Sequence, residues 1–255
     1  MDWRVSLIKA FYRGLPMDRA KVEMSRYGFD FLEKLLAGDM QLEYGELTLA
    51  NVLHKYKLTN ISEARMDELL RSHVEKECNI CLYFDKRINS TFCFNLDNNH
   101  ATNNTVIIPE VELAVRALVE RLNNTGCNTL VVASGRGYHV WCRLASPVAN
   151  TRLYRFMLHT AARVNLLLHE HGLDPLKLKF NFYPDPRIHD VVSLRLFGSE
   201  HAKNKVFSRV FTADGLLDEQ ASWAYFEDYL NTKTIEVDTF NQAFNSVVAP
   251  SVKRS

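Results

Sequence analysis

No stretch of this sequence stays apolar over the roughly 18 consecutive residues that a membrane-spanning helix needs. A helical membrane protein is excluded, and no membrane partner is expected. Charge of one sign is also lacking: 31 lysines and arginines stand against 30 aspartates and glutamates, a formal net charge of +1. Bulk attraction for nucleic acid is therefore disfavoured, but a local basic groove is not, because distribution matters more than the sum. Cysteines are few and odd in number, five in 255 residues. That fits a reducing compartment better than a disulfide scaffold. The first residues, "MDWRVSLIKAFYRGLPMDR", scatter charges through what would be the apolar core of a secretory leader. The expectation is an intracellular, cytoplasmic protein. Repeats, low-complexity tracts and Gly/Pro-rich linkers are absent too, so one compact unit is expected.

What is present falls into three stretches. Residues 1–78 read as a helical N-terminal cap. "DRAKVEMSRYGFDFLEKLLAG" sets Phe29, Phe31, Leu32, Leu35 and Leu36 near one stripe, and "SEARMDELLRSHVEKE" offers Ser62 as an N-cap. Residues 79–212 alternate short apolar strands with amphipathic helices, the pattern of an α/β or α+β core. Within them, "PEVELAVRALVERLNNTG" opens on Pro109 and closes before Gly126 as a helix should. Residues 213–255 read as a C-terminal helix and tail.

Three segments of the core could carry chemistry. In "FCFNLDNNH" an apolar strand ends in Asn95-Leu96-Asp97. Residues two apart on a strand share a face, so Asn95 and Asp97 project together as oxygen ligands for a hard cation. The competing reading is a strand running into an Asx-rich turn. In "SGRGYHVW" the glycines allow close approach of a phosphate to Ser134, Gly135, Arg136 and Gly137, with His139 just inside the next strand. The competing reading is a glycine hairpin beside a half-buried histidine. In "RIHDVVSLRLFGSEHAKNK" the carboxylate of Asp190 precedes Arg195, His201, Lys203 and Lys205. A carboxylate beside clustered cations suits a metal–triphosphate, and equally a solvated strand with an ion pair.

In this order and at this spacing, the three segments resemble the archaeo-eukaryotic primase superfamily, the group of primase small subunits and primase-polymerases. "SGRGYHVW" is similar to its second motif, and "DVVSLRLFGSEHAKN" to its third motif with the basic stretch beyond it; the match covers about residues 90 to 205. The resemblance implies an α+β fold, an RRM-like sheet packed against an α/β unit, with the site between them. It implies DNA-dependent nucleotidyl transfer that starts or extends strands from (d)NTPs on a single-stranded DNA template, with Mg²⁺ or Mn²⁺. A helicase or another replication or mobile-element protein would be the partner. On this reading Asp97 and Asp190 hold metal with Asn95. Ser134, Gly135, Arg136, Gly137 and His139 hold the triphosphate, helped by Arg195, His201 and Lys203. One departure stands out. The family's first motif is Asp-x-Asp or Asp-x-Glu, and Asn95 brings no charge. Two carboxylates then remain, unless Asp85 on the neighbouring strand supplies a third. A catalytically weak or inactive nucleic-acid-binding module with the same fold is the alternative.

His73, Cys78, Cys81 and Cys93 form an incomplete set for structural zinc, since a second ligand pair is missing. Tyr138 and Trp141 are candidates for stacking on a base, although alternation sets Tyr138 on the face opposite His139. Lys177 and Lys179 share one strand face and offer a template groove, or simply a charged edge.

Overall fold

Alternating side chains decide the architecture. The computed structural model describes residues 2–25, 41–47, 53–98, 108–135, 137–188, 193–201 and 205–248. In β5 (Ile88–Asn98), from Phe92 to Leu96, and in β7 (Gly137–Ala149), from Tyr138 to Leu144, every second residue is apolar and buried against helices. Strand β5 pairs with β7 on one side and with β8 (Leu178–Tyr183) on the other, and β6 (Leu130–Ala133) flanks β7. All these pairings are antiparallel, and the order is β6-β7-β5-β8.

Helix α3 (Pro109–Asn124) connects β5 to β6, and α4 (Asn150–Glu170) connects β7 to β8. The chain thus runs βαββαβ, and its strands lie 2-3-1-4 across the sheet. This is the split βαβ topology of ferredoxin-like and RRM-like modules. Both helices cover one face. Phe92, Phe94, Leu96, Val140 and Cys142 are fully buried there against Val115, Leu118, Phe156 and Met157. Burying each such phenylalanine or leucine stabilises the fold by about 1.5–3 kcal/mol.

The N-terminal region departs from the expected helical cap. Helix α1 (Trp3–Phe11) and helix α2 (Glu63–Val74) form, the second capped by Ser62 as its sequence implies. Between them, however, lie β1 (Ala20–Ser25), β2 (Gln41–Leu47) and β3 (Leu53–Thr59). They join β4 (Asn79–Tyr83) and β9 (Ser193–Arg195) in an antiparallel sheet ordered β2-β3-β1-β4-β9. This sheet therefore draws strands from both sides of residue 78. The reason is visible in "AKVEMS": Ala20, Val22 and Met24 are buried, while Lys21 and Glu23 take the other face, the period of a strand. The phenylalanine and leucine stripe at 29–36 lies outside the described residues.

A hairpin of β10 (Phe211–Thr212) and β11 (Gly215–Leu216) precedes α5 (Glu219–Thr232) and α6 (Val237–Val248). Phe11 and Tyr12, at the end of α1, pack edge-on to Trp141 of the second sheet. The Arg143 guanidinium donates to the Phe11 carbonyl, so α1 is fastened to β7 by both packing and a hydrogen bond. The architecture of the described residues is mixed α+β, with two large antiparallel sheets, the small β10–β11 hairpin and two cores. Among the described residues no helix is long and apolar enough to cross a membrane.

Candidate active site

The two sheets meet over a cavity of about 230 Å³. The second sheet lines it with Asn95 and Asp97 from β5, His139 from β7 and Tyr183 from β8. The first sheet supplies Lys21, Glu23, Cys81, Ser193, Leu194 and Arg195, and the adjoining loops supply Ser134 and His201. Segments distant in sequence thus converge, and the alternation in β5 and β7 is what aims their side chains. Asn95 sits opposite His139 across the strand pair, and Asp97 sits opposite Gly137.

Asn95 and Asp97 share a face as expected, and they touch. The Asn95 amide Nδ2 donates to Asp97 Oδ2 at 3.1 Å. That contact fixes the amide's orientation and leaves Asn95 Oδ1 buried without a hydrogen-bond partner. A buried acceptor left unpaired costs about 1–3 kcal/mol. Two oxygen donors side by side, one of them unsatisfied and the other in a carboxylate, fit a hard divalent cation. Among the described residues no cluster of three or more His, Cys, Asp or Glu is arranged to hold a metal. Asp190 lies outside the described residues, as do Arg136 and Lys203.

Gly137 matters for a reason that no local sequence pattern announces. A Cβ there would fall 1.9 Å from the Leu96 carbonyl oxygen and 3.0 Å from Asp97 Oδ1. The glycine lets two strands close together and leaves room for the Asp97 carboxylate above it. Gly135, with φ of +96°, turns the loop between β6 and β7. The segment is a tight hairpin, and Ser134 N–H donates to the Gly137 carbonyl at 2.9 Å. That N–H is therefore committed within the turn, so the Ser134 backbone does not join a phosphate cradle.

His139 is 7 % exposed. Burial, helped by the nearby positive charge of Arg195 and His201, pushes its pKa down to about 3. It is a neutral imidazole at physiological pH, suited to offer one N–H to an anion and unsuited to serve as a standing cation. Arg195 is similarly buried, and its guanidinium donates to the Ser134 carbonyl at 2.7 Å. It ties β9 to the hairpin and brings fixed positive charge to the cavity wall. His201 lines the cavity too; its N–H donates to the Val206 carbonyl and its carbonyl accepts from the Lys205 N–H, both at 2.8 Å.

Lys21 and Glu23 were not singled out from the sequence. They form an ion pair at 3.0 Å on the cavity wall. Burial opposes the charge on Lys21, but Cys81 and Glu23 act the other way and leave its pKa above the ordinary lysine value. Tyr183 has its phenol pushed up to about 12 by burial and by Cys93 and Asp97, so it stays protonated. The A-K-V-E-M alternation was the available signal for the Lys21–Glu23 pair.

Several expectations are corrected. Asp85 sits at the far end of β5 and caps the turn there, accepting from the Arg87 and Ile88 N–H groups, so it is no third carboxylate for the site. Lys177 and Lys179 do not share a strand face: Lys177 belongs to a 3-10 turn before β8 and pairs with Glu110 at 2.8 Å. Lys179 lies opposite Asp97 across the β5–β8 pair. His73 uses both ring nitrogens, Nδ1 accepting from Ile80 N–H and Nε2 bonding the Phe197 carbonyl, which removes it from a zinc set. Tyr138 packs against Phe211, and Trp141 lies in the core between the sheets; neither is open to a base.

No protein-family model matches the chain, and no curated protein matches it. Solved structures with a similar fold include the polymerase domain of Mycobacterium tuberculosis Ligase D in complex with DNA. It is 13 % identical at a TM-score of 0.49, covering 98 % of this chain and 91 % of that one. The AEP domain of the cyanophage S-2L primase-polymerase is 11 % identical at a TM-score of 0.39, covering 89 % of this chain and 97 % of that one.

Proposed function

We propose that the chain is a divalent-metal-dependent nucleotidyltransferase of the primase-polymerase kind, acting at the cavity between its two sheets. One observation carries this reading. The Asp97 carboxylate and Asn95 line one wall of a cavity, with the buried, unpartnered Asn95 carbonyl oxygen beside the carboxylate, and the other walls hold a neutral histidine and buried cationic groups. The ordered motifs from residue 90 to 205 supply the substrate class: a nucleoside triphosphate and a single-stranded DNA template.

Asp97 and Asn95 would hold the cation, together with Asp190 by its position in the third motif. Bound there, a divalent cation would supply Lewis acidity toward an attacking hydroxyl and charge balance for the pyrophosphate leaving group. The chain's own groups do the rest by placement. His139, neutral and fixed by burial, donates to a phosphate oxygen. Arg195 contributes positive charge that is already desolvated, and therefore effective toward a polyanion. His201 lines the same cavity, and Lys203, by its place in the third motif, would add positive charge. Gly137 keeps the Asp97 carboxylate close against the strand pair. Lys21 holds Glu23 by an ion pair and keeps that second carboxylate on the cavity wall.

The test is template-dependent primer extension with Mn²⁺ or Mg²⁺. The wild type should extend, and Asp97→Ala should lose at least about 100-fold in rate, as removal of a group that stabilises transition-state charge does. Equal rates in both would overturn the assignment. Asn95 favours a second reading, a module that binds nucleotide and strand without turnover. Metal-dependent nucleotide binding with no extension under any divalent ion would select that reading.

A further inference from the structure

On the helical face of the second sheet, away from the cleft, α3 and α4 flank a separate, half-open pocket of about 310 Å³, in which Arg121 is partly buried and Arg163 exposed. It is lined by Arg121, Asn124 and Thr125 of the α3 end and by Arg163 of α4, with Glu120 at its margin. Neither arginine has an ion-pair partner among the described residues. The Arg121 Nε is buried and lacks a hydrogen-bond partner as well. Burial and the charge of Arg163 lower the basicity of Arg121. Two unneutralised guanidinium groups sharing one cavity repel each other, and a bound anion is what removes that cost.

The surroundings narrow the anion. Helix α4 carries no carboxylate until Glu170, and Arg152, Arg155, His159 and Arg163 succeed one another three or four residues apart, on one face. Arg152 and Arg155 lie over the Phe244 ring of α6 at 4.5 and 5.9 Å, which holds their charges in line with Arg163. At a rise of about 1.5 Å per residue these four side chains, each able to donate to phosphate oxygen, follow one another roughly 4.5–6 Å apart along the helix, near the phosphate repeat of an extended strand. Arginine forks match phosphate oxygens two at a time.

We propose that the Arg121–Arg163 cavity is a phosphate-binding site that takes a backbone phosphate of a single-stranded nucleic acid lying along α4. The proposal rests on the reading that the chain handles nucleic acid. It adds a point of attachment on the opposite side of the sheet from the chemistry. It affects strand affinity and not the reaction step.

The experiment measures binding of a labelled single-stranded DNA oligonucleotide by fluorescence anisotropy across a salt series. Wild type, Arg121→Gln/Arg163→Gln, Arg121→Lys/Arg163→Lys and Asp97→Ala are compared. The double Gln variant should bind about tenfold more weakly, with a salt slope shallower by about 0.7 for each phosphate that is no longer neutralised. The Lys variant should keep most of the affinity, and Asp97→Ala should bind as the wild type does. On saturating template the Gln variant should extend primers within about twofold of wild type, which separates this site from the cleft. Inorganic phosphate should raise the melting temperature of wild type by more than that of the Gln variant, which keeps only the cleft. Removing like charges should leave both single Gln variants folded, so each serves where the double does not. Unchanged affinity and slope in the Gln variant would overturn the proposal. So would a poly-glutamate peptide that binds as tightly as the oligonucleotide and loses binding in the same variant.

Discussion

Along β5, Phe92, Phe94 and Leu96 point into the helices while Cys93, Asn95 and Asp97 point toward the first sheet. Along β7 the same division sets Tyr138, Val140 and Cys142 against Gly137, His139 and Trp141. One face is apolar and closed by α3 and α4. The other begins apolar at Cys93 and Trp141, where α1 packs, and turns polar at Asn95, Asp97 and His139, where the cavity opens. The comparison teaches that neighbours in sequence serve different ends here. The helix-facing residues hold the sheet rigid, and the rigid sheet keeps an unsatisfied amide oxygen beside a carboxylate.

The sharpest way to break this comparison is to alter adjacent residues on opposite faces. Asp97→Ala should lose at least about 100-fold in transfer activity while its unfolding free energy stays close to wild type, because Asp97 is only half-buried. Leu96→Ala, fully buried, should lose about 2–5 kcal/mol of stability, read by denaturant unfolding, and should retain activity in whatever fraction remains folded. Equal loss of stability in both would erase the distinction.

Gly137→Ala should combine both effects more mildly. Its Cβ collides with the Leu96 carbonyl, so the strands must part, at a cost of about 1–3 kcal/mol. Asp97 moves with them, and activity falls even below the melting transition. Asn95→Asp tests the unsatisfied oxygen directly. A second carboxylate touching Asp97 should lower the melting temperature without a divalent ion, and Mn²⁺ should raise it by several degrees more than in wild type. No difference in the Mn²⁺ response would argue against a cation at these oxygens.

The smallest effect concerns acid stability. Burial holds the pKa of His73 down to about 4, and that of His139 to about 3, below the ordinary histidine value. The unfolded chain therefore takes up protons first. Stability from the neutral imidazoles is complete above about pH 6.5 and is lost as pH falls from there toward about 4 for His73 and about 3 for His139. Replacing His73 by Asn should flatten this dependence while lowering stability at neutral pH, because the Ile80 N–H and the Phe197 carbonyl lose their partner. Unfolding curves at about pH 7 and about pH 5, on either side of the free histidine pKa, read both changes.

Much of the second sheet was legible in the sequence. A period of two in "FCFNLD" and "YHVW" suffices to say that Asn95, Asp97 and His139 share a side, and the helices announce themselves by Pro109 and by their apolar stripes. The first sheet was not legible. The period-two signal in "AKVEMS" is six residues long and sits beside a stretch with a helical stripe, so the longer pattern masked it. Lys21 and Glu23 went unnoticed for the same reason. The Ser134 N–H is committed within the glycine hairpin that the sequence offered as the competing reading; the commitment of the His73 Nε2 to Phe197 is tertiary hydrogen bonding, which no local pattern encodes.

The central claim is that cation and triphosphate meet between the two sheets. Anomalous scattering from a crystal grown with Mn²⁺ and a non-hydrolysable nucleoside triphosphate tests it most directly. The account predicts an anomalous peak in contact with Asp97 and Asn95 Oδ1, with the phosphates reaching His139. A peak on the Lys21–Glu23 side alone, or a triphosphate bound outside the cleft, would contradict it.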